Sequence, residues 1–332
     1  MGRMEGTRMS HVLRFVFTAV LSLLVPTVQA AAENYPDRVV RIINPYPPGG
    51  SVDVMARILA QKLTEALGQQ VIVENRSGGG GNTGSDFVAK SEPDGYTLLF
   101  TAPGPLTVNQ TLYDKLPFDP AKDFAPVALF ATAPIVLIVN PGVLAHNVQE
   151  LIALARKQPG KINFASAGIG TTNHLSGELF KSMAKIDIVH IPYRGAGPAM
   201  NDLVAGHVQM FFDLMPVVLP QIAAGNVRPL ANAGAKRPSA LPNVPTVAEQ
   251  GLAGFDASSW YGLVAPAKTP DPVLAKLRND VAKILEAPDV VARIRELGSE
   301  PGAVFGNDFA AFMAAETKKW AEVIRAAGAK AD

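Results

Sequence analysis

The sequence predicts an α/β fold of two domains, each a doubly wound, mostly parallel sheet flanked by helices, and three observations lead to it. Short β-branched runs alternate with amphipathic stretches of helical spacing along most of the chain, which is the pattern of strands joined by helical crossovers. One design, a strand followed by a glycine-bearing loop and a helix, occurs twice, over Val39–Leu67 and again over Ile162–Met183. The chain has 332 residues, enough for two domains of ordinary size even without an apolar leader.

Val39 to Ile43 has strand propensity, and Asn44-Pro45-Tyr46-Pro47-Pro48-Gly49-Gly50 ends it, because prolines remove donors and glycines favour turns. Ser51 then reads as the N-cap of a helix with apolar Val54, Ile58, Leu59 and Leu63, which Gly68 stops. Gln70–Glu74 is a second strand. The glycine run Gly78–Gly81 lacks the Gly-Lys-Ser/Thr ending of a phosphate loop and reads as flexibility or a close backbone contact. A short helix over Asp86–Lys90, a turn at Pro93-Asp94-Gly95 and a strand over Tyr96–Phe100 follow. Ala102-Pro103-Gly104-Pro105 is the candidate crossing into the second domain. Beyond it come a turn at Pro117–Pro120, a buried strand over Ala133–Asn140 and a helix over Val148–Lys157. Ile162–Ala165, Ser166–Thr171 and Thr172–Met183 then repeat the opening design, and the alternation runs on to Ala223. The chain returns to the first domain around Asn226–Gly234. Ser258–Val264 is a strand, and helices over Pro272–Leu285, Pro288–Leu297 and Asn307–Ala327 complete the chain, the last with an apolar stripe for the sheet. The expected division is residues 1–30 as a signal peptide, 31–105 plus 229–332 as the first domain, and 106–228 as the second.

The leader reading rests on Arg3, Arg8 and Arg14 ahead of the apolar run Phe15–Val25, with small residues at Val28-Gln29-Ala30 for cleavage near Ala30; Met9 offers an alternative start. No later stretch approaches the roughly 18 apolar residues of a membrane span. Beyond residue 30 the chain carries 27 Lys+Arg and 28 Asp+Glu, a balance that gives no electrostatic support for a nucleic-acid or membrane-surface partner. With no cysteine there is neither disulfide nor thiolate chemistry, a composition compatible with an oxidising compartment.

The two strand–loop–helix junctions carry the functional reading. A helix N-terminus offers unpaired N–H groups and the positive end of a dipole, so it attracts an anion without a cationic side chain. Gly49, Gly50, Gly168 and Gly170 lie at the carboxyl ends of predicted parallel strands, where open α/β sheets bind ligands. A β-branched residue at Gly50 or Gly170 is therefore expected to weaken carboxylate binding while the fold survives. Asp53, in a first helical turn, suits capping or ligand contact; Asp213, at a strand end, suits a ligand amine or hydroxyl, or a solvated turn. His174 suits an anion or a structural role, Arg76 and Arg194 the surface, and Tyr46 and Tyr193 a ligand ring or the core, with the core the reading for Trp260. Gly168–Asn173 lacks the third glycine of a dinucleotide fingerprint, and His146, His174, His190 and His207 have no paired metal spacing, so no cofactor and no metal are expected. The enzymatic alternative is a secreted serine hydrolase acting on carboxylate esters, since Phe164-Ala165-Ser166-Ala167-Gly168 imitates a nucleophile elbow without its first glycine.

Tyr46–Asp53, Val73–Gly79, Pro93–Leu98, Ser166–Leu175, Pro192-Tyr193-Arg194-Gly195, Phe212-Asp213 and Pro242–Thr246 together resemble the Bug family of periplasmic solute-binding receptors of tripartite tricarboxylate transporters, in order over the whole chain after the leader. The resemblance implies a two-domain Venus-flytrap fold that closes around a small carboxylate, a periplasmic location, a monomeric receptor and a partner membrane permease. It implies a ligand site on Tyr46, Pro48, Gly49, Gly50, Val52 and Asp53 of the first loop. Ala102, Gly104, Thr107 and Asn109 of the crossover follow, then Ser166, Ala167, Gly170, Thr171, Thr172 and His174 of the second loop, with Tyr193 and Asp213. Ile169 is bulkier than the small residues of the family's second loop and bears on the choice of ligand. A receptor domain that feeds a signalling partner is a further reading.

Overall fold

The computed structural model describes residues 35–193 and 195–331. The leader, its cleavage point, the start at Met9 and Arg194 lie outside the described residues. Strand β1 (Val40–Asn44) leads through the first loop into helix α1 (Ser51–Leu67), whose inward stripe is Val52, Met55, Ala56, Leu59, Ala60 and Leu63. Gly68 closes it in the left-handed region at φ 67°. Its N-cap is Gly50, in extended backbone, and Ser51 is the first helical residue, so no side chain caps this end. The expected Ser51 cap is thereby corrected by one residue.

β2 (Val71–Asn75), a 3₁₀ turn (Gly79–Gly81), α2 (Asn82–Ala89), β3 (Thr97–Thr101), a π turn (Gly104–Val108) and α3 (Asn109–Leu112) follow. Then come β4 (Phe124–Ala133), β5 (Ile135–Val139), α4 (Val148–Lys157), β6 (Asn163–Ser166), α5 (Thr172–Ala184), β7 (Val189–Pro192), α6 (Ala196–Ala205), β8 (Met210–Leu214), α7 (Met215–Ala223) and β9 (Arg228–Asn232). The chain ends with β10 (Ser259–Pro266), α8 (Asp271–Glu286), α9 (Pro288–Glu296), β11 (Glu300–Phe305) and α10 (Gly306–Ala327). Two sheets result, ordered β11-β4-β10-β3-β1-β2 and β7-β6-β8-β5-β9. Alternation places Ile42, Leu98 and Phe100 on one face of the first sheet and Ile43 and Leu99 on the other. In the second, Ile135 and Leu137 face one core while Val136 and Ile138 face another, so each lobe is a sheet with apolar packing on both faces.

The sheets divide the chain differently from the expected segments. β4 pairs with β10 and β11 in the first sheet, and β9 pairs with β5 in the second. Residues 102–105 therefore do not cross between lobes; the crossings from sheet to sheet are Pro134 and the stretch between Asn232 and Ser259. From Val127 to Val139 the chain is one nearly unbroken apolar run, in which Pro134 lacks the N–H that a continuing ladder needs, and there the chain changes sheets. Among the described residues five of the nine strand pairings are antiparallel. The sheets are thus mixed rather than mostly parallel, and four of the five antiparallel pairings involve β5 or β10, strands that enter from the other lobe without a helical crossover to set their direction. β11, also unexpected, forms as an edge partner of β4 with a register shift between Pro301 and Val304. Helix α10 starts against the first lobe, where Phe309 packs with Trp260, and ends with Trp320, Val323 and Ile324 in the core of the second.

Candidate functional site

The first loop is held by Asp53. Its carboxylate, 4% exposed, accepts from the Gly49 N–H at 3.0 Å, from Asn75 Nδ2 at 2.9 Å and from Arg57 at 2.9 and 3.1 Å. Burial alone would raise this carboxyl's pKa, but the bonds from Arg57, Gly49 and Asn75 outweigh it and hold the group well below the usual carboxylate range. Asp53 thus spends its carboxylate on bonds within the protein and fixes the loop from behind. Asp53→Ala leaves three donors short and is expected to cost about 2 kcal/mol of stability. Because the folded-state value is depressed, that contribution is complete above about pH 4 and is lost as pH falls further. Urea unfolding of wild type and variant at pH 7 and at pH 3 checks this: the gap between them should narrow at the lower pH.

The second loop is built on the same plan with different parts. Ser166, at the end of β6, bonds His190 Nε2 at 2.6 Å and accepts from the Gly168 N–H at 3.1 Å. The Gly168 carbonyl accepts from the Thr171 hydroxyl at 2.7 Å, and the Gly170 N–H donates to His174 Nδ1 at 3.1 Å. His174 therefore carries its proton on Nε2 and stacks on His190 with ring centroids 4.0 Å apart. Burial pushes His174 down to about 4, and burial with the neighbouring His174 and Lys181 pushes His190 down to about 3, so both are neutral at physiological pH. Ser166 is fully buried, and among the described residues no carboxylate bonds His190. The pair braces the loop.

Between the lobes lies a cavity of about 680 Å³. Tyr46, Pro48, Gly49, Gly50, Val52, Ala102, Gly104 and Asn109 line it from the first lobe, and Ala167, Gly170, Thr171 and Thr172 from the second. The structure does not bring the other expected residues to its wall. Asp53, Ser166 and His174 stand behind the loops as described. Thr107 is buried and bonds the Pro103 carbonyl, Tyr193 bonds Asp202 at 2.7 Å, and Asp213 is buried beneath Asn173. Each residue's chain neighbours were informative about the loop but silent about which way its side chain turns.

The wall also holds residues that the sequence reading missed. Ser51 and Asn173 sit in the first turns of α1 and α5, and Leu112, Tyr113, Leu175 and Trp320 supply an apolar side, Trp320 from helix α10. Gly80 is there too, and the glycine run proves to be a close backbone contact. A Cβ at Gly80 would lie 2.5 Å from the Tyr113 hydroxyl, and one at Gly81 would lie 2.8 Å from Pro105. Tyr46 is half-buried, and desolvation of its hydroxyl pushes the phenol up to about 12, so it meets a ligand as a neutral group. Ile169 lines the cavity at 50% exposure. Among the described residues the lining contains no Asp, Glu, Lys, Arg or His.

What faces this uncharged space is backbone. No side chain caps α1, and its first-turn N–H groups at Ser51 and Val52 belong to lining residues. In α5 the Thr171 side chain takes the His174 N–H, which leaves those of Thr172 and Asn173 at the wall. The positive ends of two helix dipoles, one per lobe, thus meet across one cavity.

The sequence family described as the tripartite tricarboxylate transporter family receptor matches residues 55–329. The chain belongs to that family. The receptor is 38% identical over 328 residues to Protein BugT of Bordetella pertussis, with 98% of this chain and 99% of that one covered, so the Bug resemblance holds. Among solved structures it is similar to R. palustris Rpa4515 with adipate, at 37% identity and a TM-score of 0.81, over 89% of this chain and 98% of that one. It is also similar to MatC from Rhodopseudomonas palustris with bound malate, at 32% identity and a TM-score of 0.76, over 87% and 100% of the two chains. The receptor thus has the two-domain solute-binding fold and is a solute-binding receptor, as these relatives are. The serine-hydrolase alternative is set aside with them.

Proposed function

We propose that the receptor captures a small organic carboxylate in this cavity and presents it to a membrane permease of the tripartite tricarboxylate transporter type, without chemistry being done on it. The observation that carries the reading is the convergence of two helix N-termini with first-turn amides at the wall, one per lobe, on a cavity with no charged side chain among its described lining residues. The adipate and malate held by the two structural relatives are carboxylates of the size expected. The protein works as a monomer in the periplasm, after its leader is removed near Ala30. Closure is hinge motion about Pro134 and the second crossing, stabilised by the contacts that the ligand makes to both lobes at once.

A thermal-shift panel tests this. The purified chain without its first thirty residues is melted against adipate, malate, benzoate, nicotinate and other carboxylic acids, each beside its neutral amide. A ligand at one hundred times its Kd adds about 2.7 kcal/mol to the folded state, which raises Tm by several degrees. At least one acid should do so and its amide should not. Equal shifts for acid and amide, or none for any acid, would contradict the proposal.

A further inference from the structure

Beneath the two corners lies a polar cluster that joins the lobes. Asp213, on β8 of the second lobe, is 1% exposed. One of its oxygens, Oδ1, accepts from Asn173 Nδ2 and from the Leu214 N–H, both at 2.8 Å, while Oδ2 has no partner. Tyr261, on β10 of the first lobe, is also 1% exposed, and its hydroxyl likewise has no partner. The phenol lies within electrostatic reach of Asp213 and next to Ser51. Ser51 and Asn173 are the first-turn residues that line the cavity on either side. The cluster therefore runs from one anion corner to the other through two buried atoms that lack hydrogen bonds.

A carboxylate oxygen left bare in a dry site favours the neutral acid. Burial pushes Asp213 up to about 7, against the bonds from Leu214 and Asn173, and no charged group among the described residues offsets it. The titratable groups on the elements around it do not change charge near neutrality. Tyr261 on β10 is raised to about 12, His174 on α5 and His190 on β7 lie at about 4 and about 3, and Asp53 on α1 is ionised and paired with Arg57. β5 and α7 carry no titratable side chain. Glu178, further along α5, is raised by burial and serves as a control.

We propose that Asp213 is a positioning residue that takes up a proton when the anion is captured, so that the receptor binds carboxylate and proton together. The inference rests on a carboxylate occupying the cavity. A bound anion adds a second negative charge close to Asp213 and disfavours its ionised form, and by reciprocity protonated Asp213 favours the anion. The proton keeps Asp213 neutral beneath Asn173, which holds that residue at the cavity wall, and removes the cost of a bare buried anion.

The probes are the panel acids, titrated from pH 5.5 to 8.5 by calorimetry in phosphate and in Tris. Affinity should fall by about tenfold from the acid to the alkaline end, and the difference in heat between buffers near pH 7.5 should report uptake of about half a proton. Asp213→Asn, which mimics the neutral acid, should flatten the profile and abolish the buffer dependence, while Glu178→Gln should retain both. A wild-type profile that is flat, an Asp213→Asn profile as steep as wild type, or loss of the slope in Glu178→Gln overturns the inference and leaves the receptor reading standing. Binding of no acid at any pH overturns both. If Asp213→Asn does not fold, the buffer dependence of the wild-type heat decides alone.

Discussion

Gly50→Asp is expected to lower carboxylate affinity by about a thousandfold, roughly 4 kcal/mol, while Tm stays level or rises. Gly50 has φ −76° and ψ 170°, the extended backbone of an N-cap, and a Cβ there would meet nothing nearer than the Pro47 carbonyl at 3.8 Å. An aspartate fits that position and caps the first-turn amides, which ordinarily adds about 0.3 kcal/mol relative to a glycine cap. The same carboxylate then occupies the N–H groups proposed for the ligand and places a negative charge where the anion would sit. Stability and binding should therefore move in opposite directions, a signature that a merely structural loop would not give. Calorimetry with a panel acid, beside a melting curve, reads both; unchanged affinity would show that this corner does not hold the ligand.

Gly170→Val should cost about a hundredfold in affinity, roughly 3 kcal/mol, with the fold retained. Gly170 has φ +76°, a region in which a β-branched residue is strained. A Cβ would also lie 2.0 Å from Leu112 Cδ2. Leu112 belongs to α3 and is buried in the second-lobe core with Leu175 and Trp320, so the clash pushes the second loop off its packing and displaces its amides. The sequence reading treats Gly50 and Gly170 alike; the structure separates them, one an open cap with room for a side chain, the other packed tightly against Leu112. Gly170→Val should accordingly weaken every panel acid that binds. If it binds them like wild type, the second loop does not hold the ligand.

Both amide corners were legible in the sequence because their signals are local: a β-branched run, prolines and glycines, then helical periodicity, all within thirty residues. Gly68 as a left-handed stop and the glycine run as a close contact were legible for the same reason. Sheet membership was not. β4 and β5 form one apolar run on either side of Pro134, and nothing in those residues says that the first half pairs with β10, more than a hundred residues away. β11 contains Pro301 and Gly302 and owes its extension to pairing with β4. The roles of Asp53, His174 and Asp213 were hidden likewise, since their partners Asn75, His190 and Asn173 come from other elements. Trp320 was placed on the sheet-facing stripe of the last helix, but that helix passes from one lobe to the other, and its second half reaches the cavity.

A crystal structure of the receptor with a panel acid bound is the most direct measurement. The account predicts the carboxylate oxygens within about 3 Å of first-turn amide nitrogens of α1 and α5, directly or through one water, with no cationic side chain in contact. A carboxylate paired to a lysine or arginine, or seated away from the two helix ends, would contradict it.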